Sequence, residues 1–134
     1  SSDVCSSDLC GVVIAHEMFG QALLQLSRHD RGEVRFLLSE TIATFGLILV
    51  IALSGKRNAE ATPAAVALYI TSAYWCTSST SFANPAVTIA RSLTDTFSGI
   101  QWTGTPAFIA AQFVGATLAF WIAGSLNGLR QKAR

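Results

Sequence analysis

Two places in this 134-residue chain put polar chemistry inside apolar surroundings. The first is Glu40, the one charge between Phe36 and Ser54, in a stretch whose second half, Phe45 to Leu53, is strongly apolar. An ionisable group in such a run is costly and marks a candidate site by default, a proton relay being one reading. The second is Asn84-Pro85, reached through the small polar run Ser78-Ser79-Thr80-Ser81. Asn is a good helix N-cap, and Pro suits the first helical position, where its missing N–H would have no partner. A helix from Pro85 to about Thr94 is roughly 15 Å long at 1.5 Å per residue. Its positive end carries free N–H groups and the Asn84 amide. Covalent and metal chemistry are not expected. His16 and His29 have no neighbouring ligand set, and no nucleophile–base set can be assembled, so the chain reads as a non-enzyme with no metal and no cofactor. Cys5 and Cys10 lie near the start and Cys76 in an apolar stretch, which argues against a disulfide framework; Cys76 is expected to pack as a small hydrophobe.

The elements that must carry these groups are membrane-like. The chain is 51% hydrophobic and 13% charged, with a mean hydropathy of +0.45. Nine basic and eight acidic residues leave a net charge of +1, so nothing points to nucleic acid or an acidic partner. No charge occurs from Ala61 to Ala90 or from Thr96 to Leu129. The short helix after Asn84 therefore lies between two span candidates and covers about half of a ~30 Å hydrocarbon core. Exposed backbone at that depth is tolerated only inside protein or beside a water-filled path, which is the chemistry of a pore.

At these residues the sequence resembles a family. Asn84-Pro85-Ala86, preceded by Ser-Phe-Ala and followed by a half-helix and a further span, resembles the second NPA box of aquaporins and aquaglyceroporins. The run Tyr74-Trp75-Cys76-Thr77-Ser78-Ser79-Thr80-Ser81-Phe82-Ala83-Asn84-Pro85-Ala86-Val87-Thr88 is similar to a bacterial subgroup, some members of which are associated with arsenic resistance. The resemblance covers residues 11 to 126. It implies an all-α membrane protein, an aquaporin-like half-bundle with three spans (36–54, 62–78 and 105–126) and one re-entrant half-helix at 84–94. It makes 11–19 the remnant of a third span of a full channel and 20–35 an outer loop. It also implies that Glu40 braces the pore loop by accepting its backbone N–H groups, which would keep the carboxylate ionised.

The expected selectivity filter departs from the family pattern. Most relatives carry Arg three residues after the box Asn, and here that position is Val87. The other constriction positions in this half align with Ser72 and Ser81. Small, uncharged side chains should leave a wider gap. Arg91 lies two turns past Asn84, about 10 Å further out. It can guard the outer mouth, or it can pair with Asp95 at i, i+4.

Along the rest of the chain, residues 1–10 resemble translated sequencing-adapter sequence and are expected to be an artefact or a disordered tail outside the fold. Tyr74 and Trp75 are expected to pack or anchor rather than contact solute. Ala107, Ala111, Gly115, Ala119 and Ala123 form a small-residue ladder for close helix packing. Lys56 and Arg57 share a side with Arg130, Lys132 and Arg134, against Arg28, Arg31, Arg35 and Arg91 on the other. This places the 127–134 tail in the cytoplasm and brings the pore loop in from outside. The expected function is passive flow of water and small neutral solutes, such as glycerol-like polyols or arsenious acid. The host is a bilayer, the bacterial inner membrane, crossed several times, with a homotetramer when full length. A complete pore needs a second half-helix, so the chain is expected to be an incomplete fragment. A small proton-coupled multidrug exporter and an inert membrane fragment are the competing readings.

Overall fold

A computed structural model describes the backbone of residues 2–132 and the side chains of residues 7–126. The elements are α1 (Ser2–Met18), α2 (Val34–Arg57), α3 (Thr62–Cys76), α4 (Pro85–Arg91) and α5 (Thr105–Lys132), with single 3-10 turns at Ala59–Ala61 and Trp102–Gly104. There is no strand among the described residues. The basic residues Lys56 and Arg57 fill the last turn of α2, where the helix dipole favours them. Asn58 then leaves the helix in an extended conformation, and its side chain accepts the N–H groups of Glu60 and Ala61. Pro63 follows in the first turn of α3.

α2 is the centre of the bundle, packed between α5 on one side and α3 on the other; α1 meets α4, and α4 meets α5. The contact between α2 and α5 is backbone-close. A Cβ on Gly115 would collide with the carbonyl oxygen of Thr41 and the amide nitrogen of Phe45. The Thr41 hydroxyl also reaches the Ala111 carbonyl at 3.2 Å. Ala111, Gly115, Ala119 and Ala123 of the small-residue ladder are buried, whereas Ala107 is exposed. On the other flank a Cβ on Gly46 would run into the Tyr69 ring, whose hydroxyl donates to the Ala43 carbonyl at 2.8 Å. The buried hydrophobic cluster is small: Phe82, Ile100 and Phe108, with Phe36, Leu37 and Val87 against it. Large apolar side chains elsewhere face outward, among them Ile42, Leu68, Trp75, Phe113, Phe120 and Trp121. A helix bundle that is apolar on its outside suits lipid rather than water.

Among the described residues, two helical stretches, Val34–Arg57 and Trp102–Leu126, are long and apolar enough to cross a membrane. The expected span at 62–78 forms a helix of 15 residues, about 22 Å at 1.5 Å per residue. It stops at Cys76 because Thr77 turns extended and its hydroxyl takes the Ala73 carbonyl at 2.7 Å. Residues 2–10, expected to be a tail outside the fold, form the first half of α1, continuous with the 11–15 apolar run. Once a helix is nucleated, each added residue gains a backbone bond. The 127–134 tail, with Arg130, Lys132 and Arg134, lies outside the residues whose side chains are described, as does Cys5.

Candidate functional site

The loop from Thr77 to Asn84 takes an unusual path to reach α4. Thr80, Ser81 and Ala83 all have positive φ, at 61°, 49° and 49°. None is glycine, so each costs on the order of 1 kcal/mol or more and must be held by its surroundings.

Glu40 supplies one side of that hold. It is fully buried, with Oε2 accepting the Phe82 N–H at 3.2 Å and Oε1 accepting the Ala83 N–H. Gln112 of α5 donates from Nε2 to Glu40 Oε1 at 2.8 Å and to Thr88 Oγ1 at 2.8 Å. Thr88 in turn donates to the Asn84 carbonyl at 2.9 Å. A buried carboxylate is affordable when several donors surround it, as they do here. Ser39, one residue before Glu40, adds a second tie: its hydroxyl accepts the Ser79 N–H at 3.2 Å.

Arg31 supplies the other side. Arg31 is 6% exposed, and its guanidinium donates to the carbonyls of Ser79 at 3.0 Å, Phe97 at 2.8 Å and Gly99 at 2.8 Å. It also lies over the rings of Phe82 at 5.3 Å and Phe36 at 5.8 Å. The carboxylate thus takes amide N–H groups of the loop while the guanidinium takes its carbonyls. Burial lowers the Arg31 pKa from its usual value and Arg91 pushes the same way, while Glu40 and Tyr74 oppose. A guanidinium remains charged at neutral pH through such changes.

α4 itself is built as the sequence suggests at its start and ends sooner. Asn84 is extended, its Oδ1 accepts the Ala86 N–H at 2.8 Å, and Pro85 follows it. Oδ1 is so engaged, and the NH2 end of the amide is the one the cap does not use. The helix stops at Arg91 rather than about Thr94, because Ser92 and Leu93 bond three residues back to Ile89 and Ala90. Seven residues give about 10 Å of helix.

A cavity of about 840 Å³ opens beside α4, and its walls include Val87, Ala90 and Arg91 of α4, Tyr74 of α3, His16 of α1 and the 94–98 loop. Of the expected filter positions it takes in Val87 alone, together with Arg91, the residue expected at the outer mouth. Ser72 is exposed, with its hydroxyl turned back to the Leu68 carbonyl at 2.9 Å. Ser81 is buried, with no partner for its hydroxyl. The Arg91–Asp95 pair is not formed. Asp95 instead accepts the Arg28 N–H at 2.9 Å and faces the Arg28 side chain at 3.9 Å. Arg91 lies over the Phe82 ring at 4.7 Å and reaches the Ser98 carbonyl at 3.4 Å, and Tyr74 shares the cavity wall with it. Tyr74, expected only to pack or anchor, is therefore on the cavity wall. His16 is buried there, with Nδ1 at 2.9 Å from the Leu23 carbonyl and Nε2 at 2.8 Å from Thr94 Oγ1.

Sequence reasoning missed Arg31, Gln112 and Thr88. Gln112 carried a usable signal, since an amide inside an uncharged span needs a partner. Arg31 carried none, because Arg28, His29, Asp30 and Glu33 around it read as a solvated loop.

No family profile matches the chain, and no solved structure matches it. Among curated proteins, it is 47% identical over 126 residues to Aquaglyceroporin AqpS of Rhizobium meliloti (strain 1021), a match that covers 94% of this chain and 53% of that protein. The all-helical bundle and this identity agree: the chain belongs to the aquaporin/aquaglyceroporin family, and it spans about half the length of the relative it matches.

Proposed function

We propose that the chain is part of a passive channel for water and small neutral solutes, with α4 as a re-entrant half-helix and Asn84-Pro85-Ala86 at its tip. The observation that carries this reading is the short helix α4. Its N-terminus is held at the end of a strained loop by a buried carboxylate on one side and a buried guanidinium on the other. So much structure spent on placing one helix end and one amide is what solute recognition at a helix terminus requires. The name of the relative, an aquaglyceroporin, supports glycerol-like solutes.

In this reading Asn84 and the first N–H groups of α4 donate to a solute at mid-pore, and the positive end of the helix opposes cations. Val87 and Arg91 face the route further out, with uncharged arsenious acid as a further candidate solute. The route is completed by a second half-helix outside this chain, in a bacterial inner membrane and in a homotetramer. Glu40 acts as a fixed brace rather than a proton carrier.

Stopped-flow scattering on liposomes containing the complete gene product tests this. The expected result is flow of water, glycerol and arsenite down their gradients, in both directions. Water flow with complete rejection of glycerol and arsenite would overturn the wide filter, and no flow of any of them would overturn the channel.

A further inference from the structure

Arg31 holds more than a loop. It grips the carbonyls of Phe97 and Gly99, the two residues on either side of Ser98. The Ser98 carbonyl is the one that Arg91 reaches. The Phe82 ring lies beneath both guanidiniums, 5.3 Å from that of Arg31 and 4.7 Å from that of Arg91. The third carbonyl that Arg31 takes, Ser79, belongs to the arm that enters α4, whereas Phe97 and Gly99 belong to the arm that leaves it. One buried side chain therefore joins both arms and fixes both supports of Arg91, without itself lining the cavity. Arg91 and Val87 do line it.

We propose that Arg31 is a positioning residue that sets the size selectivity of the channel by fixing where Arg91 stands at the cavity. The inference rests on the channel reading above. A planar fork with donors in several directions is needed to hold three carbonyls and two rings at once. A lysine in its place keeps the charge and loses the fork.

The test uses the complete gene product in liposomes, with the flux of a five-carbon polyol, xylitol, measured against that of glycerol. Arg31→Lys should raise the xylitol-to-glycerol ratio by about tenfold, the effect of a barrier difference near that of one lost hydrogen bond. Arg91→Ala should raise it similarly. The double variant should do no more than either alone, since both act through one group. An unchanged ratio in Arg31→Lys, or effects that add in the double variant, would overturn the proposal. If Arg31→Lys does not fold, Arg31→Gln takes its place, and loss of fold in both would show a scaffold role and overturn it too. Amide exchange at Ile100, whose N–H bonds the Arg91 carbonyl at 3.2 Å, gives a readout that needs no flux. Faster exchange in the variant supports the positioning, and wild-type exchange overturns it. Absence of glycerol flux in the unaltered protein would instead defeat the channel reading.

Discussion

Gln112 Nε2 stands 2.8 Å from Glu40 Oε1 and 2.8 Å from Thr88 Oγ1, so one amide nitrogen joins α5 to both α2 and α4. An amide has two hydrogens, and here both are spent inside the bundle. The consequence is a closed chain of donors. Gln112 serves Thr88, Thr88 serves the Asn84 carbonyl, and Glu40 takes the N–H groups of the two residues before Asn84. The tip of α4 is fixed from both directions along the backbone.

Glu40→Gln should break this chain. An amide presents one acceptor oxygen and turns its NH2 group toward donors that need acceptors. Leaving a buried donor unsatisfied costs about 1–3 kcal/mol, and more when a charge-assisted bond is lost. Thermal unfolding in detergent should show a loss on the order of 2–4 kcal/mol. Solute flux should fall several-fold, and by the same factor at every pH between about 6 and 8. If the variant keeps wild-type stability and loses only transport driven by a pH gradient, Glu40 is a proton carrier and the exporter reading returns.

What was legible in the sequence follows from whether the signal was local. The Asn84 cap, Pro85 at the helix start and Glu40 alone in an apolar run are each readable within a few residues. The early end of α4 and the positive φ of Thr80, Ser81 and Ala83 are not. The loop is held by Glu40 and Arg31, about 40 to 50 positions away in the chain, and no glycine marks it; α4 ends where the Ser92 and Leu93 amides turn three residues back. Arg31 is buried only because the 92–101 segment returns alongside the 25–33 loop. The Ser27 N–H takes the Ser92 carbonyl at 3.0 Å, and the Gln101 N–H takes the His29 carbonyl at 2.7 Å. Arg91 and Asp95 have the spacing of a helical pair, yet the helix ends at Arg91, so the periodicity that would join them is absent.

Gly115→Val should be among the most damaging changes on α5. The space where a Cβ would go is held by the Thr41 carbonyl and the Phe45 amide, and backbone does not yield as a side chain does. Overpacking of this kind costs about 1–3 kcal/mol, and more where nothing can move. Gly124 has nothing within 4 Å of the same position. Gly124→Val should therefore be neutral, or slightly stabilising through helix propensity. Comparing the two by fluorescence-detected size exclusion after heating decides this, and equal behaviour would mean that α2 and α5 are not backbone-close.

Gly46 and Tyr69 should behave as one unit. A Cβ at Gly46 meets the Tyr69 ring, and the Tyr69 hydroxyl is bound to the Ala43 carbonyl. Gly46→Ala should destabilise by about 1–3 kcal/mol. In the Tyr69→Leu background the same change should cost much less, giving a coupling of about 0.5–3 kcal/mol in a double-mutant cycle. Simple additivity would refute the packing of α3 on α2 through this pair.

Val87→Arg tests the filter itself. Val87 lies one helical turn before Arg91 and both line the cavity, so the change sets two guanidiniums at i, i+4 on the same wall. The new side chain narrows the route and adds fixed charge, which hinders a wide solute by exclusion more than it hinders water. A penalty specific to the larger solute of about 1.4 kcal/mol is a tenfold change. The ratio of glycerol to water permeability in stopped-flow measurements should therefore fall by about that factor, with arsenite following glycerol. A proportional fall of water and glycerol would mean that the variant plugs or unfolds the channel. No change in either would place Val87 off the route, and the cavity beside α4 would then not be the solute path.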